Sequence, residues 1–108
     1  MSELLAGNVT TFMTVPQRDL IDKKAQLQAL LRYVATTYPG TDVRQDYDLA
    51  DRCRYEVRMP DRSVRGLGCC LAFDTGRAVF FDDYGSYDTG SLKGFSEYVL
   101  GCAEAAAR

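Results

Sequence analysis

Asp-Thr-Gly occurs twice, at 74–76 and at 88–90. In aspartic proteases this tripeptide supplies two carboxylates that share a proton. Here the copies stand fourteen residues apart, too near for each to occupy its own lobe. The spacing instead predicts a hairpin turn at Asp74 and a loop leading into a helix at Asp88. Histidine is absent, which removes the commonest metal ligand and the commonest general base. The four cysteines, Cys53, Cys69, Cys70 and Cys102, include no Cys-x-x-Cys pair. Cys69 and Cys70 are neighbours, so on a strand they point to opposite faces and cannot share one zinc ion. Cys53, Cys69 and Cys102 fall on expected core faces and read as small hydrophobes; Cys70 falls off that face and has no histidine to activate it. Asp46-Tyr-Asp48-Leu-Ala-Asp51 starts like a calcium loop but lacks the central glycine and closing glutamate. Gly66-Leu-Gly68 and Gly90-Ser-Leu-Lys93-Gly match neither a dinucleotide fingerprint nor a phosphate loop. The residues therefore nominate no catalytic group, metal ligand or cofactor, and the reading is of a protein that is not an enzyme.

Two surfaces remain. The first is Asp82-Asp83-Tyr84-Gly85-Ser86-Tyr87-Asp88. Carboxylates beside aromatics on a short loop suit a protein contact, because tyrosine buries large area at low entropic cost. Asp82, Asp83, Tyr84, Tyr87 and Asp88 are accordingly the candidate partner-binding residues. The bland alternative is a solvated loop with its tyrosines against the sheet edge. The second surface is the charged side of Arg52 to Met59, where Arg52, Arg54, Glu56 and Arg58 alternate with Cys53, Tyr55, Val57 and Met59. Arginines in a row could track phosphates. With Glu56 and five nearby aspartates, at 42, 46, 48, 51 and 61, a self-paired face is the better reading. Direct nucleic-acid binding is disfavoured.

These surfaces need elements to hold them. The period of two in Arg52 to Met59 demands a strand with one dry and one wet face. Arg65 to Phe73 follows as a second strand, with Leu67, Cys69, Leu71 and Phe73 on one side and only Gly66, Gly68, Cys70 and Ala72 on the other. That pattern fits a central strand with something packed close on the small side. Pro60-Asp61-Arg62-Ser63 and Asp74-Thr75-Gly76 supply turns, and Arg77 to Asp82 forms a third strand. An edge strand near Val43 to Tyr47 and a short strand at Val9 to Met13 complete the β elements. Thr14 and Gln17 have capping-box spacing with Pro16 between them. Leu20, Ile21, Leu27, Leu30, Leu31, Val34 and Tyr38 then recur at helical spacing until Pro39-Gly40 stops the helix. A closing helix runs from about Ser91 to Ala106.

The expected fold is one α+β domain over 1–108: an antiparallel sheet of three or four strands with two helices packed on one face. Leu27, Leu31, Val34, Tyr55, Val57, Leu71, Phe73, Val79, Phe95 and Val99 should form the core. Thirteen basic and fifteen acidic residues give a net charge of −2, which recruits neither nucleic acid nor an acidic membrane. Residues 41–65 balance six arginines against six acids, whereas 66–108 carry three basic residues and six acids. The opening Met-Ser-Glu-Leu-Leu-Ala-Gly-Asn lacks the marks of a signal peptide, and no apolar run reaches a membrane span of about 18 residues. The expectation is a cytoplasmic protein with reduced thiols, no membrane contact, and a monomeric or dimeric state.

The stretch from Arg77 to Leu100, with Asp88-Thr-Gly-Ser91-Leu92-Lys93-Gly94-Phe95-Ser-Glu-Tyr98-Val99 at its end, resembles part of a family. A strand, an acidic loop and a Ser-apolar-Lys-Gly-aromatic helix start are similar to those of small phage anti-CRISPR proteins that block type I surveillance complexes. The resemblance covers about a quarter of the chain. It implies a protein partner, a CRISPR effector complex, whose DNA-binding site an acidic surface would occupy. The chain departs from that pattern in its smaller acidic excess and its many arginines. The order of elements also resembles secretion-chaperone-like domains, so a chaperone or a toxin-immunity protein stands as the alternative, with a nucleic-acid binder using the arginine strand as a third.

Overall fold

The computed structural model describes residues 15–83, 85–87 and 92–108. The expected strand at 9–13 and the cap at Thr14 lie outside them. Helix α1 (Val15–Thr37) is followed by β1 (Asp42–Leu49), β2 (Arg52–Arg58), β3 (Val64–Ala72), β4 (Arg77–Asp82), β5 (Gly85–Tyr87) and helix α2 (Leu92–Ala106). The five strands form one antiparallel sheet in the order β1-β2-β3-β4-β5. Both helices lie on one face, as the pattern of β2 requires. Four strands answer to the sequence expectation. The fifth lies in the stretch read as a loop, because three residues are too few for a period of two to be seen.

The turns form where the residues permit. Gly40 closes α1 with φ +92°, and Gly76 takes φ +72° in the Asp74-Thr75-Gly76 turn, where its N–H donates to the Ala72 carbonyl at 2.8 Å. The first Asp-Thr-Gly is thus a hairpin turn. The second lies outside the described residues. Among the described residues, Arg62, at φ 75°, is the non-glycine residue in the left-handed region. Asp61 steadies that turn by accepting from the Ser63 N–H at 3.0 Å and the Ser63 hydroxyl at 2.6 Å.

Leu27, Leu31 and Val34 of α1 meet Cys53, Val57, Leu67, Cys69, Leu71, Ala78 and Phe80 of the sheet and Phe95, Val99 and Ala103 of α2, all buried. Phe80 and Phe95 stack with centroids 5.5 Å apart. Tyr55 and Phe73 pack at the margin of this core. Val79 does not belong to it. The register pairs Leu71 with Ala78 and Cys69 with Phe80, which turns Ala78, Phe80 and Asp82 toward the helices. Val79 and Phe81 therefore look out from the opposite face, across from Cys70 and Gly68.

In β1 the register shifts between Gln45 and Tyr47. This bulge places Tyr47 opposite Arg54 and Asp48 opposite Cys53, so that Asp48 faces α1. There Lys24 donates to Asp48 at 2.7 Å and Gln28 does so at 3.1 Å.

Candidate functional site

The face away from the helices holds the arginine strand, and Arg54 is its hub. β2 aims Arg54 across Gly66 and Gly68 of β3, because Arg54 pairs with Gly68 and Glu56 with Gly66. Its guanidinium donates to Asp46 at 2.9 Å and to both Asp83 oxygens at 3.2 Å, and lies 3.5 Å from Glu56. Asp83 also accepts from the Gly66 N–H at 2.9 Å. The hydrogen bond to Asp46, followed by those to Asp83 and Glu56, raises Arg54 above the ordinary guanidinium range.

The glycines make this arrangement possible. A Cβ on Gly66 would stand 2.7 Å from Cζ of Arg54 and closer still to Asp83. One on Gly68 would stand 2.7 Å from the Phe81 ring and run into the Cys53 carbonyl. The small side of β3 thus receives an ion pair and an aromatic ring. Arg52 forms a two-point pair with Asp51 at 3.2 Å. Arg44 and Arg58 are exposed and form no ion pair among the described residues. Leu49 and Val64 are apolar residues left half exposed, at 54% and 47%.

Of the five residues nominated as an acidic contact, Asp82 and Asp83 have described side chains, and these go to different partners. Asp82 is a correction: it is buried at 5% exposure, not displayed. Alternation along β4 puts it on the side of Phe80, and the Tyr98 hydroxyl donates to its carboxylate. Arg65 donates to the same hydroxyl at 3.1 Å and sits 3.7 Å from Asp82. Burial, then the bond to Asp82, raises the Tyr98 phenol well above its usual range. Asp83 is half exposed and committed to Arg54 and Gly66. Tyr87 stands in β5 opposite Phe80 by backbone pairing. Tyr84 and Asp88 lie outside the described residues.

The Asp82–Tyr98–Arg65 cluster was missed at the sequence level, yet a signal existed. Arg65 shares the parity of Leu67, Cys69 and Leu71, so the dry face of β3 begins with a charge. Beside the cluster opens a cleft of about 520 Å³ between the β2–β3 turn and α2, lined by Asp61, Arg65, Glu97, Tyr98 and Cys102 among others. Among the described residues, no three of Cys, Asp and Glu are grouped to hold a metal ion, and no helix is long and apolar enough to cross a membrane. Comparison with protein-family models, with curated proteins and with solved structures gave no match.

Proposed function

We propose that the chain is a non-enzymatic binding protein that engages a protein partner through the open face of its sheet. The observation that carries this reading is the Arg54 hub. Asp46, Glu56 and Asp83 converge on one guanidinium, which fixes a charge array on a surface the two helices leave uncovered. Exposed Leu49 and Val64 and the unpaired charges of Arg44 and Arg58 flank it. Ordered side chains lose little freedom on binding, and mixed charge selects a partner more than it tightens the contact. The hub also tells against phosphate tracking, because Arg54 and Arg52 already have carboxylate partners.

The finer role we propose is inhibition of a type I CRISPR surveillance complex, supported by the resemblance at 77–100. Burial of Asp82 takes one carboxylate out of the acidic surface that resemblance implies, so the contact is assigned to the open face.

Capture from a bacterial lysate on the wild-type protein and on an Arg44→Glu/Arg58→Glu variant tests the surface. The variant should fold and lose the captured protein. Equal capture by both would remove the open face as the contact. Competition with target DNA for a purified type I complex tests the role. The protein should displace DNA from the complex without binding bare DNA. Salt-sensitive binding to bare DNA would instead restore the nucleic-acid reading, and copurification with a neighbouring toxin or cargo would favour the immunity or chaperone reading.

A further inference from the structure

Cys53 and Cys69 are cross-strand partners in β2 and β3. Both are free, both are fully buried, and their sulfurs lie 3.7 Å apart. The Leu71 N–H donates to the Asp51 carbonyl at 2.7 Å, which makes 51 and 71 a hydrogen-bonded pair in this ladder. Pair types alternate, so 53 and 69, two residues along, are of the same type, with Cα atoms about 5.5 Å apart. That separation falls within the disulfide range of roughly 4.4–6.8 Å, near its commonest value. At a hydrogen-bonded pair the Cβ atoms stand about 5 Å apart, somewhat beyond the roughly 3.5–4.5 Å of a disulfide, so closing the sulfurs to about 2.05 Å draws the two strands slightly together. Cys70 is on the opposite face, exposed, beside Arg52. Cys102 lines the cleft by α2.

We propose that Cys53 and Cys69 are an oxidative modification site, joined by an intrachain disulfide when the protein meets a hydroperoxide. The Cys53 sulfur attacks one peroxide oxygen and the O–O bond breaks. The departing hydroxide takes the thiol proton as water and leaves Cys53 as a sulfenic acid. The Cys69 sulfur then attacks the Cys53 sulfur, the S–O bond breaks, and the second hydroxide leaves as water with the Cys69 proton. Two thiols lose two electrons and one peroxide gains them. The two sulfurs can exchange these roles, since either can donate in the hydrogen bond between them. The product ties the strand carrying Arg52, Arg54 and Glu56 to the glycine strand beneath them, so oxidation would rigidify the open face.

The test uses the full chain with Cys70→Ser and Cys102→Ser, which leaves the two core thiols. After hydrogen peroxide treatment, both thiols should vanish from titration in guanidinium. The mass should fall by two hydrogens with no added oxygen, and the link should map to Cys53–Cys69. Closing this loop should raise Tm by roughly 10 °C, and dithiothreitol should reverse the change. A further Cys69→Val substitution should abolish both the link and the shift. The proposal is overturned if both thiols remain titratable after prolonged exposure, if they gain oxygen without linking, or if the linked protein melts lower than the reduced one.

Discussion

Replacing Tyr98 with Phe removes a single oxygen from the junction between α2 and the sheet. The ring keeps its place, since it packs on Phe95 with centroids 6.3 Å apart. Among the described contacts of the hydroxyl, two hydrogen bonds carry the loss. One runs to the Asp82 carboxylate, whose side chain is 1% exposed; a bond to so buried a charged group is worth about 1.5–3 kcal/mol. The other comes from Arg65, which retains Asp82 at 3.7 Å and so loses only about 0.5–1 kcal/mol. The variant should be less stable by about 3 kcal/mol. With an unfolding entropy of roughly 2 cal/mol/K per residue, Tm should drop by about 10–15 °C. Urea unfolding should show the lower midpoint with an unchanged m-value. There is a matching pH effect. The raised phenol of Tyr98 means that folding favours its neutral form. That stabilisation is fully present below the ordinary tyrosine value of about 10 and is lost as pH rises through the higher folded value. Wild-type stability should therefore fall above pH 10 more steeply than that of the variant. A destabilisation under about 0.5 kcal/mol, or equal alkaline slopes, would refute the role assigned to this hydroxyl.

Four further substitutions probe the sheet, the core and a turn. Gly68→Ala, which meets the Cys53 carbonyl, should cost more than about 2 kcal/mol, because backbone cannot yield. Gly66→Ala meets the movable Arg54 head and should cost about 1 kcal/mol, with both values read from urea unfolding. Phe95→Ala empties the centre of the core and should cost about 3–5 kcal/mol by the same assay. Arg62→Gly relieves a left-handed residue and should raise Tm slightly, by the equivalent of about 0.5–1 kcal/mol.

The sequence made some elements plain and concealed others for reasons that can be stated residue by residue. In β2, charge and apolarity alternate without exception, so its faces could be read directly and the two-layer fold followed. In β4, Ala78, Val79, Phe80 and Phe81 are all apolar, and no alternation tells one side from the other. Only the register set by the Asp74–Gly76 turn decides the matter, and it selects Phe80 over Val79. Asp82 looked like the first residue of an acidic loop because its parity could not be known until β4 was placed. In β1, the bulge at Gln45 and Tyr47 exchanges the two faces midway, which no fixed period can anticipate. The arginine face was readable as residues, and its tendency to self-pair as a balance of charge. That Asp83, twenty-nine positions away in the chain from Arg54, completes the hub depends on β4 lying beside β3.

The strand order follows the chain from first to last, and this bears on how the molecule assembles. Each strand finds its neighbour across a turn, so the sheet can grow by successive hairpins, each closing a short loop in microseconds. Contacts between distant parts of the chain enter chiefly when α1, residues 15–37, docks on β3, β4 and α2. Loop-closure entropy falls mostly on that one event. The sheet has a low barrier to forming but no dry cover until the helices arrive. The docking of α1 should therefore set the folding rate, and a Leu27 or Leu31 truncation should slow folding more than an equally destabilising change in a β-turn.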